Sequence, residues 1–328
     1  MKIKDSILHM FTQFNDLSVK EIEDSLLVSK QAIHYALNQL LENNSVEKFG
    51  RTPKTIYRLK KEKPNQYVDD TFDFTTKEIE QFNNKVLVIT EFGEMLTGLA
   101  AFSYWCNQRH LPLKKTAIEY LETQKKYQHF VGKNKLIDGT DKLINTKGYD
   151  HIYLDKLYYC DFYAIERFGK TRLGTLLHYA KQGQNKMLMK ILVDEIKTDL
   201  LHFIKQSKAD AVGFVPPTIR REVQIMKFIE TQLKIALPII KINKISGIIP
   251  VPQKSLNKLN ERIRNADNTF AVTSNNNYKQ IILIDDAVGS GSTLNQIAAK
   301  IKNKNPLVKI TGVAIVGSFK GFDVITDV

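Results

Sequence analysis

Two cysteines, one tryptophan and nine prolines in 328 residues rule out several kinds of protein. Cys106 and Cys160 alone make neither a disulfide framework nor a four-cysteine zinc site, and such sparing use fits a reducing cytoplasm. Few prolines, 43% hydrophobic and 25% charged residues describe a globular chain rather than a low-complexity one. No apolar run reaches membrane-spanning length, and the opening M-K-I-K-D-S-I-L-H-M lacks an apolar leader, so neither export nor insertion is expected. Acidic residues are also short, 35 against 48 Lys and Arg, and the net charge of +13 favours polyanionic partners. The length allows two or three domains.

Ile3, Ile7, Leu8, Met10, Phe11 and Phe14 recur at helical spacing, and Ser18-Val-Lys-Glu21 is a capping box for a second helix through Leu27. Ser29 is placed to cap a third, with Ile33, Ala36, Leu37, Leu40 and Leu41 as its buried stripe. Two strands follow, Ser45 to Phe49 and Thr55 to Leu59, joined by Gly50-Arg51-Thr52-Pro53-Lys54. Three helices and a basic hairpin are the order of a winged helix. Val46 to Lys63 holds seven Lys or Arg against two Glu. On that reading residues 1–62 bind double-stranded DNA, with Lys30, Gln31, His34 and Tyr35 facing bases and Arg51 and Lys54 facing phosphates. Winged helices also serve as protein-interaction modules.

Residues 63–150 carry no chemistry that stands out. A polar stretch, Lys60 to Asp73, reads as a linker. Thr75-Thr-Lys-Glu78 caps a helix, Lys85 to Thr90 suits a buried strand, and helical patterns cover Glu91–Arg109 and Lys114–Phe130. Cys106, His110 and His129 match no common zinc spacing, so packing is the expected role of that cysteine. His151 to Phe162 alternates like a strand.

From Ala209 onward strand and helix patterns alternate: Ala211–Val215, Thr218–Ile235, Ile245–Pro250, Ile281–Ile284, Thr293–Lys302 and Ile310–Val316. This predicts an α/β domain with a parallel sheet flanked by helices, in which ligands bind at the carboxyl ends of the strands. Asp285 and Asp286 fall at such an end, followed by Ala287-Val288-Gly289-Ser290-Gly291-Ser292-Thr293 and a helix. Small residues at a helix N-terminus make a phosphate seat. The acids then accept from sugar hydroxyls or hold a hydrated magnesium ion, and a sugar 5-phosphate satisfies both halves. A Walker A loop is excluded because G-K-[ST] is missing, and a dinucleotide loop because the acids precede the glycines.

The run Ile281 to Thr293 resembles the signature of type I phosphoribosyltransferases, two acids and a T-G-x-T loop, with Ser290 in place of the first Thr. Arg262-Ile-Arg264-Asn265, continuing to Phe270, and Phe214-Val215-Pro216-Pro217-Thr218 with Arg220 and Arg221 are similar to segments of the ComF-like group. Tyr163 to Lys186, with Gly169, Gly174 and Lys181, echoes that group's upstream basic segment. The resemblance covers residues 151–328. It implies a type I phosphoribosyltransferase fold that binds phosphoribosyl diphosphate (PRPP) with Mg2+. Asp285 and Asp286 would meet the ribose, the 287–293 loop the 5-phosphate, and Pro216, Pro217 and Thr218 the diphosphate. Arg220, Arg221, Lys254, Arg262 and Arg264 are its candidate cationic partners.

The chain departs from the group in lacking a four-cysteine zinc ribbon and in having Pro217 and Gly289 where other residues are usual. A winged helix joined to a phosphoribosyltransferase fold is instead similar in architecture to the purine-operon repressors. Two functions are therefore expected: a phosphoribosyltransferase acting on a nitrogen acceptor, or a DNA-binding regulator, suited to a homodimer, that senses PRPP or a nucleotide.

Overall fold

Side-chain caps start the helices of the N-terminal part of the chain. The computed structural model describes residues 3–43, 45–51, 54–60, 74–219, 221–245, 251, 255–273 and 277–319. Contacts divide the chain into two units, Met1–Gln66 and Tyr67–Val328. In the first, α1 (Ile3–Met10) precedes α2 (Val19–Leu26), whose N-terminus carries the reciprocal Ser18–Glu21 capping box. Ser29 accepts from the Ala32 amide and opens α3 (Lys30–Glu42). β1 (Val46–Arg51) and β2 (Lys54–Leu59) pair antiparallel from Val46↔Leu59 to Arg51↔Lys54. Leu17 adds a bridge to Tyr57. Ile7, Ile22, Ile33, Leu37 and Leu40 close a small core, whereas Phe14, expected on the apolar stripe, lies beyond the end of α1 and is exposed.

The second unit begins with α4 (Thr76–Lys85), the β3 (Leu87–Ile89) and β4 (Met95–Thr97) hairpin, α5 (Gly98–Asn107) and α6 (Leu113–Gln128). β5 (Ile137–Asp138), α7 (Thr140–Ile144), β6 (Lys156–Phe162), β7 (Ala164–Ile165) and β8 (Gly169–Lys170) follow. Then come α8 (Arg172–Gln182), α9 (Lys186–Gln206), β9 (Ala211–Phe214), α10 (Ile225–Leu233), β10 (Ile242–Lys244) and α11 (Leu259–Thr269). β11 (Phe270–Val272), β12 (Gln280–Val288), α12 (Ser292–Lys302) and β13 (Lys309–Gly317) complete it.

The central sheet has the order β5-β6-β13-β12-β9. β6, β13, β12 and β9 run parallel, and β5 is an antiparallel edge, so the sheet is mixed rather than wholly parallel. β12 and β13 read as near-continuous Val, Ile and Leu because helices cover both faces. α8 and α9 pack on one face, and α12 with the aromatic residues of α4 to α6 on the other. Residues 74–150 thus share a core with the sheet: Phe82, Phe102 and Tyr120 stack within 5.6 Å and join Leu157, Leu283 and Ile297.

Two expected elements shift. The helix sought from Thr218 starts only at Ile225, since Pro216 and Pro217 lack amides and the chain bends before Gln224. Of the strand expected at Ile245–Pro250, residues 246–250 lie outside the described residues; just before it β10 pairs with β11 in a separate ribbon. The helix sought over Glu91–Arg109 begins at Gly98, because Gly93, at φ +79°, turns β3 into β4.

No helix among the described residues is long and apolar enough to cross a membrane. Leu37 is fully buried in the N-terminal core. Leu37→Ala is expected to destabilise that unit by about 2–5 kcal/mol. A two-transition thermal scan in which only one transition moves would bear this out; a shift of both would join the two units energetically.

Candidate anion loop and carboxylate pair

β12 is held on both sides as far as Ile284. There β9 stops, and the Val215 amide donates the last bond to the Ile284 carbonyl, at 2.9 Å. Asp285 to Val288 continue beside β13 alone, so a notch opens at the carboxyl end of the sheet, flanked by the segment Val215-Pro216-Pro217-Thr218. Ligands of parallel sheets bind in such a place.

The two acids sit in the notch. Asp286 is buried, and Lys181 Nζ of α8 donates to its Oδ2 at 2.6 Å. Asp285 Oδ1 accepts from the Asp286 amide at 2.8 Å. Loss of solvent, then the neighbouring Asp286 charge, pushes the Asp285 carboxyl far above the usual carboxylate range, with Lys181 opposing. Carboxyls displaced in this way concentrate at functional sites.

The loop after β12 turns its carbonyls inward. Gly289 O accepts from Lys142 Nζ at 3.1 Å, Ser290 O from the Tyr149 hydroxyl at 3.0 Å, and Gly291 O from the Asn295 amide at 2.9 Å. Among the described residues, no oxygen accepts from the amides of Gly289, Ser290, Gly291, Thr293 or Leu294, while the Ser292 amide reaches Ser290 Oγ at 3.4 Å. Gly291 makes this turn at φ +85°, and a Cβ there would stand 2.8 Å from Leu143 Cδ1. Five free amides at the start of α12 form a concave donor surface that suits an anion.

No protein-family model and no curated protein matches this chain. The functional reading therefore rests on the geometry and on the resemblance of its motifs.

Of the residues singled out in sequence, Asp285 to Thr293 and Pro216 to Thr218 meet around the notch. Arg221 Nη2 donates to Gln182 on α8, next to Lys181, at 3.0 Å. Arg262 is buried, and its Nε donates to the Leu256 carbonyl at 2.7 Å. Arg264 is exposed on α11. Arg220 and Lys254 lie outside the described residues. In the N-terminal unit Lys30, Gln31, His34 and Tyr35 are all exposed along α3, and Lys54 is exposed at the hairpin tip; the Arg51 side chain is not among those described.

Two carboxylates, one already paired with Lys181, do not enclose a cation, and no group of three His, Cys, Asp or Glu side chains that could hold a metal occurs among the described residues. Their chemistry suits magnesium only as an ion carried mainly by a ligand's own phosphates.

Lys142 and Tyr149 were not legible as site residues. Neither belongs to a motif, and Lys142 lies 147 positions before the carbonyl it holds. Its ammonium also donates to Ser318 O at 2.7 Å and to Ser318 Oγ. Burial pulls its pKa down from 10.5 to about 8. The unfolded chain therefore binds more protons than the native one between those values, and native stability rises with pH across that window. Relative to Lys142→Met, wild-type stability is expected to climb between about pH 8 and pH 10.5 and to be level below it. Denaturant titrations at matched pH measure this, and a difference without slope would mean a solvated ammonium.

Proposed function

We propose that the second unit binds PRPP, with the free amides of the 289–294 turn on the 5-phosphate and Asp285 and Asp286 on the ribose hydroxyls. The observation that carries this reading is the inward turn of three consecutive carbonyls beside a carboxylate pair, Asp285 half-buried and Asp286 buried. An anion-binding surface next to acids suits a ligand whose phosphate and hydroxyls are one sugar apart. Dinucleotide loops lack the acids before the turn, and P-loops need a lysine after it.

As an enzyme, the unit is a phosphoribosyltransferase of the type I fold. A nitrogen acceptor forms its bond to C1 of the ribose while diphosphate departs with the electrons of the breaking C1–O bond. Magnesium, if carried by the diphosphate, would supply charge neutralisation there, with Asp285 and Asp286 as the nearest carboxylates. Asp285 and Asp286 orient the ribose and face the positive charge that develops at C1, while Arg221 is the described cation available to the leaving diphosphate and Arg220 its candidate companion by sequence. The exposed polar stripe on α3, Lys30 to Tyr35, favours a second reading of the whole chain. In it the first unit is a winged helix on double-stranded DNA, and PRPP or a nucleotide is an effector that shifts conformation without turnover.

Calorimetry with PRPP and magnesium, followed by diphosphate release with a panel of nitrogen acceptors, tests both. Saturable binding is expected; release identifies the enzyme, and binding without release across a broad panel identifies the sensor. Absence of PRPP binding by the folded protein removes both.

Asp285→Asn provides a second test. A carboxyl whose pKa is raised on folding contributes stability that is present below its unfolded value, 3.8, and is lost as pH rises through the folded value. The amide keeps the acceptor for the Asp286 amide and cannot ionise. Its gain in Tm over wild type is therefore expected to grow from about pH 4 to about pH 8 and then level off. PRPP affinity, measured above about pH 8 where the carboxyl is ionised, should fall about tenfold or more in the same variant, as expected when a charged hydrogen-bond acceptor is lost. A variant that gains stability and binds PRPP unchanged would remove Asp285 from the ribose.

A further inference from the structure

On the other side of Ser318 from the loop, a cavity of about 650 Å³ opens at the ends of β6 and β13. That size suits one small ligand. Trp105, Tyr127, Tyr163, Phe168 and Phe319 contribute its aromatic walls. Two strands' ends and the helices of residues 74–150 build it together, so none of these elements forms it alone.

The polar groups on its lining are unevenly satisfied. Lys126 is held by Glu166 at 2.5 Å, Arg167 by Glu119, and Glu91 accepts from the Tyr104 hydroxyl. Arg109 and Lys170 have no carboxylate within salt-bridge distance among the described residues. Instead Arg109 lies 4.5 Å from the Trp105 ring centroid and Lys170 5.9 Å from that of Tyr163. Both cations are thus held against the aromatic walls with their charge unpaired by any described carboxylate. A guanidinium positioned on a ring offers a carboxylate two donors in one plane.

The cavity adjoins the anion loop. Ser318, on its lining, donates its amide to the Val288 carbonyl at 3.0 Å and shares Lys142 with Gly289. Thr175 and Tyr179 line it from α8, the helix that carries Lys181 to Asp286.

We propose that this cavity binds a planar nitrogen heteroaromatic carboxylate, set among its aromatic walls with its acid on Arg109 and Lys170, and that this ring is the acceptor of the ribose. The acceptor role rests on the phosphoribosyl reading above; the affinity for the ring does not. In the transfer, a ring nitrogen's lone pair forms the bond to C1 as the C1–O bond breaks, and diphosphate leaves with that bond's electron pair. A pyridine-type nitrogen then carries a positive charge, which the ring's own carboxylate balances.

Trp105 is the chain's one tryptophan, so its fluorescence reports on the cavity directly. The full chain is titrated with pyridine-3-carboxylate, its neutral amide and benzoate, by fluorescence corrected for absorbance and by calorimetry. The two carboxylates are expected to quench saturably and the amide to bind about tenfold or more weaker, as loss of a charge-assisted hydrogen bond implies. Arg109→Gln and Lys170→Gln, at the cavity's margin, should each weaken the acids and leave the amide unchanged. Equal affinity for acid and amide, acid affinity retained in both variants, or no binding of any ring overturns the proposal. PRPP is titrated separately: PRPP binding without acid binding removes this inference and leaves the phosphoribosyl reading, while acid binding without PRPP binding removes the acceptor role.

Discussion

A buried ammonium ties the site together. Lys142, on the short helix between β5 and β6, donates to carbonyls that follow β12 and β13, so one side chain links three segments distant in sequence. Burying a lysine is costly, and the lowered pKa measures that cost. The return is geometric: with the Gly289 carbonyl drawn inward, the amides beyond it are left facing the notch. Tyr149 and Asn295 do the same for the next two carbonyls. An apolar residue at position 142 would leave two buried carbonyls without this donor and free the turn to rotate, trading donors for acceptors on the ligand side.

Signs of charge are sorted within a short distance around this turn. Lys142 lies behind the loop, Lys181 on Asp286, and Asp285 keeps a carboxyl that water no longer stabilises. Left empty, such a cluster stores electrostatic free energy, because like-charged carboxylates adjoin in a poorly solvated place. A ligand that brings hydroxyl donors to the acids and an anion to the amides relieves both. The same arrangement explains why stability and affinity should move in opposite directions when Asp285 is neutralised.

Local chemistry was legible where cause and effect lie within one turn. Ser18 with Glu21, and Ser29 before α3, open their helices as their side chains require. The acid pair and the glycine turn also read correctly as a strand end followed by a helix, since alternation and breakers are local signals. Long-range choices were not legible. The Arg262 Nε bond to the Leu256 carbonyl has no local signal. Nor does the pairing of β10 with β11 in a ribbon apart from the central sheet. The walls of the aromatic cavity come from five separate stretches, and no spacing in the sequence connects them.

A site made of backbone tolerates substitution in its signature. Ser290 in place of a threonine, and Gly289 beside it, alter side chains only, while each amide of the turn is still present. What the turn cannot lose is the left-handed conformation at Gly291 and the donors that hold its carbonyls. Pro217 is a different departure. It removes an amide from the segment that faces the notch from β9, so that any diphosphate bound there has one fewer backbone donor and depends more on nearby cations. Arg221, directed to α8 through Gln182, is already on that side of the notch. On the proposed reading, the chain keeps its backbone donors where the 5-phosphate would rest and relies on side-chain charge where the diphosphate would have to leave.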